Sequence, residues 1–384
     1  MRPVTASERP ARLRELAVVF GTLGVIGFGG PAAHIALMRR EVVERKRWLT
    51  DQQMVDLIGV TNLIPGPNST EMAMHVGRVR AGGVGLLVAG LAFILPAALI
   101  VLALAWAYVT YGSTPAGQAL LYGVKPVIVA IVGAALVAFA RTALAGPLRM
   151  GVAVGAAALW LLGVNELVLL AGGAALLTAL RIGTRHPWTV AAIALPATAT
   201  ATAAAASLNL LTLAMVFLKA GALLYGSGYV LLAFLRGDLV ERLGWLTDAQ
   251  LLDAVAIGQV TPGPLFTTAT FVGYLLAGIP GAAVATVAIF APAFVFVALV
   301  GPMAERIRDR PLTAALLDGV NAAALGLMAA VTLRLGAEAV RDPLTIALLA
   351  GSGIALWWGR VPSFLLVAAG AAIGLAASAL GAGA

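Results

Sequence analysis

Cysteine is absent from the 384 residues, which excludes disulfides, thiol nucleophiles, iron–sulfur clusters and Cys-based zinc sites. Charge is scarce as well. Only 11% of residues are Asp, Glu, Lys or Arg, against about 25% in soluble domains. The three histidines, His34, His75 and His186, are too few and too scattered for a transition-metal site. No cofactor is therefore expected, and the missing nucleophiles and metal ligands argue against a membrane-embedded enzyme. What fills the chain is apolar: 61% of residues are hydrophobic and the mean hydropathy is +0.99. So little polar surface cannot cover so much apolar mass in water, so the solvent is mainly lipid and the fold all-α and polytopic. A net charge of +8 would suggest nucleic acid in a soluble protein. Here it points to cytoplasmic Arg and an anionic cargo.

Residues 1–15 hold Arg2, Arg9, Arg12 and Arg14, and no small-residue cleavage site follows the apolar run from Leu16. This start reads as retained structure with a cytoplasmic N-terminus. Apolar segments of spanning length lie at 84–109, 119–140, 150–164, 167–180, 282–302, 314–333, 344–358 and 363–380. Four others, 16–38, 55–76, 208–235 and 252–276, are interrupted by Gly and Pro. Roughly ten spans plus re-entrant hairpins are expected, with segments of about 20 residues.

The two halves are repeats. At a shift of 197, Trp48-Leu49-Thr50-Asp51 meets Trp245-Leu246-Thr247-Asp248, and Pro65-Gly66-Pro67 meets Pro262-Gly263-Pro264. Phe20, Gly24 and Gly29 meet Phe217, Gly221 and Gly226. At a shift of 196, Leu120 to Val124 meets Leu316 to Val320. The expected organisation is a first repeat over residues 1–187, an Ala/Thr-rich connection over 188–208, and a second repeat over 209–384. Loop charge points to inversion. Arg39, Arg40, Arg45, Lys46 and Arg47 in copy one face only Arg236 and Arg242 in copy two. Arg78 and Arg80 have no copy-two counterpart, while Arg306, Arg308 and Arg310 have none in copy one. A bias that flips between copies is what inverted topology requires. The Arg-rich N-terminus and the 39–47 loop both read as cytoplasmic, so 16–38 is expected to be a hairpin broken near Gly29-Gly30-Pro31.

Thr50 and Gln53, repeated as Thr247 and Gln250, form capping boxes that start helices after interfacial turns. The helix breaks carry the chemistry. Pro65-Gly66-Pro67, Pro262-Gly263-Pro264, Gly29-Gly30-Pro31 and Gly226-Ser227-Gly228 interrupt apolar segments, and polar Asn68, Ser69, Thr70, Thr267 and Thr268 follow two of them. Helix N-termini expose unpaired N–H groups that bind anions, and inside a membrane such groups must line a cavity. The bland alternative is a kink in a packed helix. Two of the three lysines, Lys125 and Lys219, also sit in apolar runs. Buried ammonium groups mark ion paths, unless they snorkel from a helix end. Glu71 and His75, one turn apart after the first break, could carry a coupled proton or simply bond each other. Asp56 and Asp253 read as helix-start acids rather than proton carriers. His34 is either a ligand group or a packed core residue.

Residues 28–34, FGGPAAH, then Arg39 to Val43 and Trp48-Leu49, resemble the first half of the chromate ion transporter family. Asn62 to Met72, NLIPGPNSTEM, matches that family's most specific stretch, and Gly221 to Tyr229 with Gly258 to Pro264 resemble its second half. The resemblance covers nearly the whole chain. It implies a bacterial inner-membrane secondary transporter exporting chromate and conferring chromate resistance, with sulfate as a related oxyanion. Sulfate uptake or exchange, or a passive anion channel, are the alternatives. Chromate is a tetrahedral dianion and suits amides, hydroxyls and one or two cations without a metal. The site expected is therefore Gly29, Gly30, Pro65, Gly66, Asn68, Ser69, Thr70, Gly226, Ser227, Pro262, Gly263, Thr267 and Thr268, with Lys125 and Lys219 neutralising charge and Glu71 and His75 coupling a proton. Small-residue helix faces also permit a homodimer.

Overall fold

The computed structural model describes residues 8–182, 208–225, 230–300, 311–359 and 361–381. Among them are fourteen α-helices and no strand, as a lipid-embedded chain requires when every backbone group must bond internally. Copy one folds as α1 (Arg9–Ile26), α2 (Gly30–Arg39), α3 (Asp51–Thr61), α4 (Asn68–Tyr111), α5 (Pro115–Ala143), α6 (Pro147–Leu161) and α7 (Glu166–Ile182). Copy two follows as α8 (Leu210–Leu223), α9 (Leu231–Leu235), α10 (Asp248–Val260), α11 (Thr268–Val300), α12 (Pro311–Ala339), α13 (Pro343–Trp357) and α14 (Ser363–Ala379). Helices α4, α5, α11 and α12 are long and apolar enough to cross a membrane. All but Leu208 of the expected 188–208 connection lies outside the described residues.

Local sequence accounts for the helix starts. Thr50 caps α3 by accepting from the Gln53 amide at 3.2 Å, while the Gln53 side chain accepts from the Thr50 amide at 2.9 Å. Thr247 and Gln250 repeat the box at 3.1 and 3.0 Å. After α2 and α9 the chain continues as π-helical turns, Arg40–Arg45 and Arg236–Arg242. A repeated set of ion pairs braces these turns. Arg39 binds Glu44 and Asp51, and Arg45 binds Glu41. At a shift of 197, Arg236 binds Glu241 and Asp248, and Arg242 binds Asp238. The loop cations counted by sequence are therefore partly structural. In copy one the set is open to solvent, whereas the Arg236 side chain is 2% exposed and lies 5.2 Å over the Trp160 ring.

The length of α4 conceals a fold-back. Ala81 and Gly82 leave helical geometry, Gly82 with φ +70°. Residues 77 and 85 would stand about 12 Å apart along a straight helix. Instead a Cβ on either Gly77 or Gly85 would overlap the other's carbonyl oxygen. Arm 68–80 thus doubles back against arm 83–111. Ala277 and Gly278 repeat the kink in α11, and Gly273 faces Gly281 in the same way. Each Pro-Gly-Pro break consequently lies between two short helices, α3 and arm 68–80 in copy one, α10 and arm 268–276 in copy two.

The chain forms two compact units. The first comprises Met1–Tyr111, Leu208–Leu224 and Ile257–Glu305. Its core packs α1 on α4, α8 on α11 and α4 on α11. The second comprises Gly112–Ser207, Tyr225–Ala256 and Arg306–Ala384, with α5 on α14, α12 on α7, α5 on α13, α12 on α6 and α5 on α12. Each unit draws helices from both copies, and each pairing made by one copy is answered by the equivalent pairing of the other. Within the second unit the Tyr122 hydroxyl donates to Asp342 at 2.7 Å. Asp318, at the repeat position of Tyr122, receives Arg149 and Arg181.

Candidate functional site

In the first unit, helix breaks from the two copies are bonded to each other. Copy one's Pro-Gly-Pro turn places Gly66 at φ +139°, and its N–H donates to the Leu224 carbonyl at 2.8 Å. Leu224 ends α8, at the first break of copy two. Reciprocally, Gly263, at φ +91°, donates to the Gly27 carbonyl at 2.7 Å, and Gly27 ends α1 at the first break of copy one. These are equivalent bonds at a shift of 197. Four irregular segments are thereby tied into two cross-repeat junctions, with the sharp turns supplied by glycines in conformations that L side chains rarely adopt. Gly29 and Gly30, at φ +102° and +77°, shape the turn into α2. His34 Nε2 donates to the same Gly27 carbonyl at 2.8 Å, and the ring packs edge-on to Phe93. His34 is thus a buried core residue that braces the break. Gly226 and Ser227 lie outside the described residues.

The polar groups predicted at the breaks fall into two classes. Gly66 and Gly263 already donate their amides to carbonyls. In copy two, the Thr267 hydroxyl donates to Pro264 O and the Thr268 hydroxyl to Leu265 O, both at 2.8 Å, within the tight turn Leu265–Thr267. Copy one is different. The amides of Thr70 and Glu71 both donate to Pro67 O, while those of Asn68 and Ser69 are first-turn groups without an intrahelical acceptor. Asn68 Nδ2 donates to Asn62 Oδ1 at 3.2 Å. Buried Thr70 Oγ1 carries no hydrogen bond, nor does either carboxylate oxygen of Glu71, a residue with no exposed surface. The carboxylate is folded back against the turn, where a Cβ on Gly66 would overlap its Oε1. One turn further, buried His75 leaves Nε2 without a partner. Glu71 and His75 do not bond each other among the described contacts. Their copy-two equivalents are Thr268 and Val272, so titratable groups at these positions occur in one copy only.

The two lysines of the apolar runs belong to different units. Lys219 is half-buried in α8 of the first unit, shortly before the Leu224 junction. Lys125 is in α5 of the second unit, where its ammonium lies 3.4 Å from Asp253 Oδ1. Asp253 is 3% exposed, so its burial exceeds what a solvated helix-start acid would show. Asp56, its repeat partner, is half-buried and accepts from Gln52 at 3.1 Å. The Lys125–Asp253 pair joins distant parts of the chain, and no local motif announces it. The repeated Arg–acid set was legible in principle, because Arg39, Glu44, Arg45 and Asp51 recur at one shift and Glu41 returns as the acid Asp238. No group of three or more His, Asp or Glu able to hold a metal occurs among the described residues.

A family profile described as "Chromate transporter" matches residues 14–179 and again 211–375. The chain is 34% identical over 375 residues to a chromate transport protein of Cupriavidus metallidurans, covering 95% of this chain and 93% of that one. It is 33% identical over 341 residues to a chromate transport protein of Pseudomonas aeruginosa, covering 85% and 82%. An uncharacterized transporter of Bacillus subtilis is 32% identical over 133 residues, 35% of this chain and 68% of the other. No solved structure matches.

Proposed function

The chain belongs to the chromate transporter family, and from that premise we propose that it is a secondary transporter exporting chromate across the bacterial inner membrane, with the N-terminus in the cytoplasm. The observation that carries the reading is the pair of cross-repeat junctions in a lipid-embedded chain. Broken helices joined in this way supply open helix N-termini where regular backbone cannot. The oxyanion is held at the copy-one break by the Asn68 and Ser69 amides and the Thr70 hydroxyl, with the positive end of arm 68–80 beneath it. Lys125 and Lys219 are the cations that balance its charge. The copies, residues 1–187 and 209–384, have inverted topology; the flip in loop Lys and Arg and the answering helix pairings support this.

Glu71 is the proton site of this cycle. A dianion beside a buried carboxylate is repelled, whereas beside the neutral acid it gains a donor. Glu71 is accordingly protonated while the anion is bound, and His75 passes the proton along the arm. Membrane potential drives the outward step, since net negative charge leaves the negative interior, worth about 2.3 kcal/mol per charge per 100 mV.

Radiolabelled chromate flux into inside-out vesicles tests the reading. Accumulation that collapses when potential and pH gradient are dissipated is expected, with sulfate as competitor. Passive equilibration under every gradient would favour a channel and overturn it. Glu71→Gln, which mimics the protonated acid, is expected to transport with a flattened pH profile. A pH profile identical to the parent's removes Glu71 from the cycle.

A further inference from the structure

We propose that Asp253 is an internal counter-ion, holding Lys125 when no substrate is bound and yielding it to the transported oxyanion. The proposal rests on the reading of Lys125 as a residue that meets the anion. Its grounds lie within the second unit. Lys125 stands inside apolar α5, immediately before Pro126, and its side chain is 22% exposed. Asp253, on α10, approaches it with a side chain 4% exposed. The repeat does not call for this pair. The position equivalent to Lys125 holds Asn321, and the Asp56 carboxylate, equivalent to Asp253, accepts from the neutral Gln52 amide. A cation has been added to one copy only, and an acid of the other copy answers it.

Separation is informative too. Charge-assisted N–H···O bonds run to about 2.7–2.9 Å, and this chain makes them elsewhere: Arg236 to Asp248 at 2.7 Å and Arg80 to Glu15 at 2.8 Å. Lys125 and Asp253, at 3.4 Å, neutralise each other without a short hydrogen bond. An ammonium has three donors in no fixed fork, so a tetrahedral dianion carrying twice the charge can take the place of the carboxylate.

A carrier that performs net export must return empty. With Lys125 bare, that return would carry an uncompensated buried charge, which is strongly unfavourable. Asp253 removes it on the empty return, and the oxyanion removes it on the loaded step. Net efflux therefore needs both residues. Chromate–chromate exchange, in which the carrier is loaded in both directions, needs Lys125 alone.

The test is purified full-length protein in proteoliposomes, with radiolabelled chromate measured as net efflux and as exchange on the same preparation. Asp253→Asn is expected to slow net efflux on the order of tenfold or more, a decade being about 1.4 kcal/mol, with exchange close to parental. Equal loss of both modes, or net efflux at the parental rate, overturns the proposal. Asp253→Glu keeps a carboxylate for Lys125 and covers the case in which Asp253→Asn fails to insert. It must sustain net efflux, and losing it with exchange intact also overturns the proposal. Lys125→Gln is expected to lose both modes. Parental exchange in Lys125→Gln overturns the reading of Lys125 itself, and a parent that moves no chromate overturns the functional reading instead.

Discussion

Substituting Gly77 by Ala isolates the packing that folds α4 back on itself. Gly77 has no unusual φ, so the substitution strains nothing locally. Its new methyl would overlap the Gly85 carbonyl oxygen and stand 2.6 Å from the Ala89 Cβ. Carbon atoms prefer about 3.5–4.0 Å, so the two arms must part by about 1 Å. Overpacking of this kind costs about 1–3 kcal/mol, and the backbone carbonyl cannot turn aside as a flexible side chain would. Gly83 is the control. It lies in the same hairpin, at ordinary φ, and nothing stands within 4 Å of an added Cβ. Gly83→Ala is expected to gain about 0.5–1 kcal/mol from helix propensity. Thermal unfolding in detergent, followed by helical circular dichroism, should place Gly77→Ala several degrees below Gly83→Ala, at about 2–4 °C per kcal/mol. Arm 68–80 carries Glu71 and His75, so chromate flux should fall in Gly77→Ala and stay parental in Gly83→Ala. If Gly77→Ala melts with or above Gly83→Ala, the fold-back does not depend on this contact and the reasoning fails.

The duplicated ion pairs should respond unequally. Arg236→Ala leaves Asp248 and Glu241 without their cation and exposes the Trp160 face, costing about 3 kcal/mol, the low end for breaking a buried pair because both acids reach solvent. Arg39→Ala, whose side chain is 47% exposed, should leave the melting temperature close to the parent's; equal shifts in the two variants would contradict the difference in burial. Acid sensitivity gives a separate check. Donation from the Tyr122 hydroxyl, and then from the Thr345 amide, holds the Asp342 carboxyl below its ordinary range. A depressed carboxylate stabilises the fold above its unfolded value, near about 3.9, and loses that contribution as pH falls through the folded value. Tyr122→Phe should thus be less stable than the parent at neutral pH, with the gap closing below about pH 4. A gap that stays constant across that range would show that the hydroxyl acts through packing alone.

Much of the fold was legible from local pattern. The capping boxes at Thr50 and Thr247, the interruptions at Pro65-Gly66-Pro67 and Pro262-Gly263-Pro264, and the turn at Gly29-Gly30 all stand where residue chemistry puts them. Capping needs a hydroxyl three residues from an amide, and a break needs Pro or Gly at one place. Such requirements are satisfied within a few residues. The hairpins at Gly82 and Gly278 were less legible, since 84–109 and 282–302 read as ordinary spans. The signal was the spacing of Gly77 with Gly85 and of Gly273 with Gly281, which means little until two arms are known to touch. By sign alone Arg39 and Arg236 read as loop cations; the acids that recur at the same offset, Glu44 with Glu241 and Asp51 with Asp248, mark them as ion-pair partners.

By itself the sequence determined the solvent, the helical class, the duplication and the places where helices stop, because composition, period and backbone-restricting residues act locally. Tertiary structure decided which polar groups at those stops remain available. The Gly66 and Gly263 amides were open until distant carbonyls, Leu224 and Gly27, came within bonding distance. Thr267 and Thr268 turned to their own backbone, whereas Thr70 and Glu71, at the same repeat positions, were buried without partners. Identical residues, Thr70 and Thr267, thus end in chemically different settings. The reason is physical: a buried polar group takes whichever acceptor the packed chain presents, and that acceptor can belong to the other half of the protein.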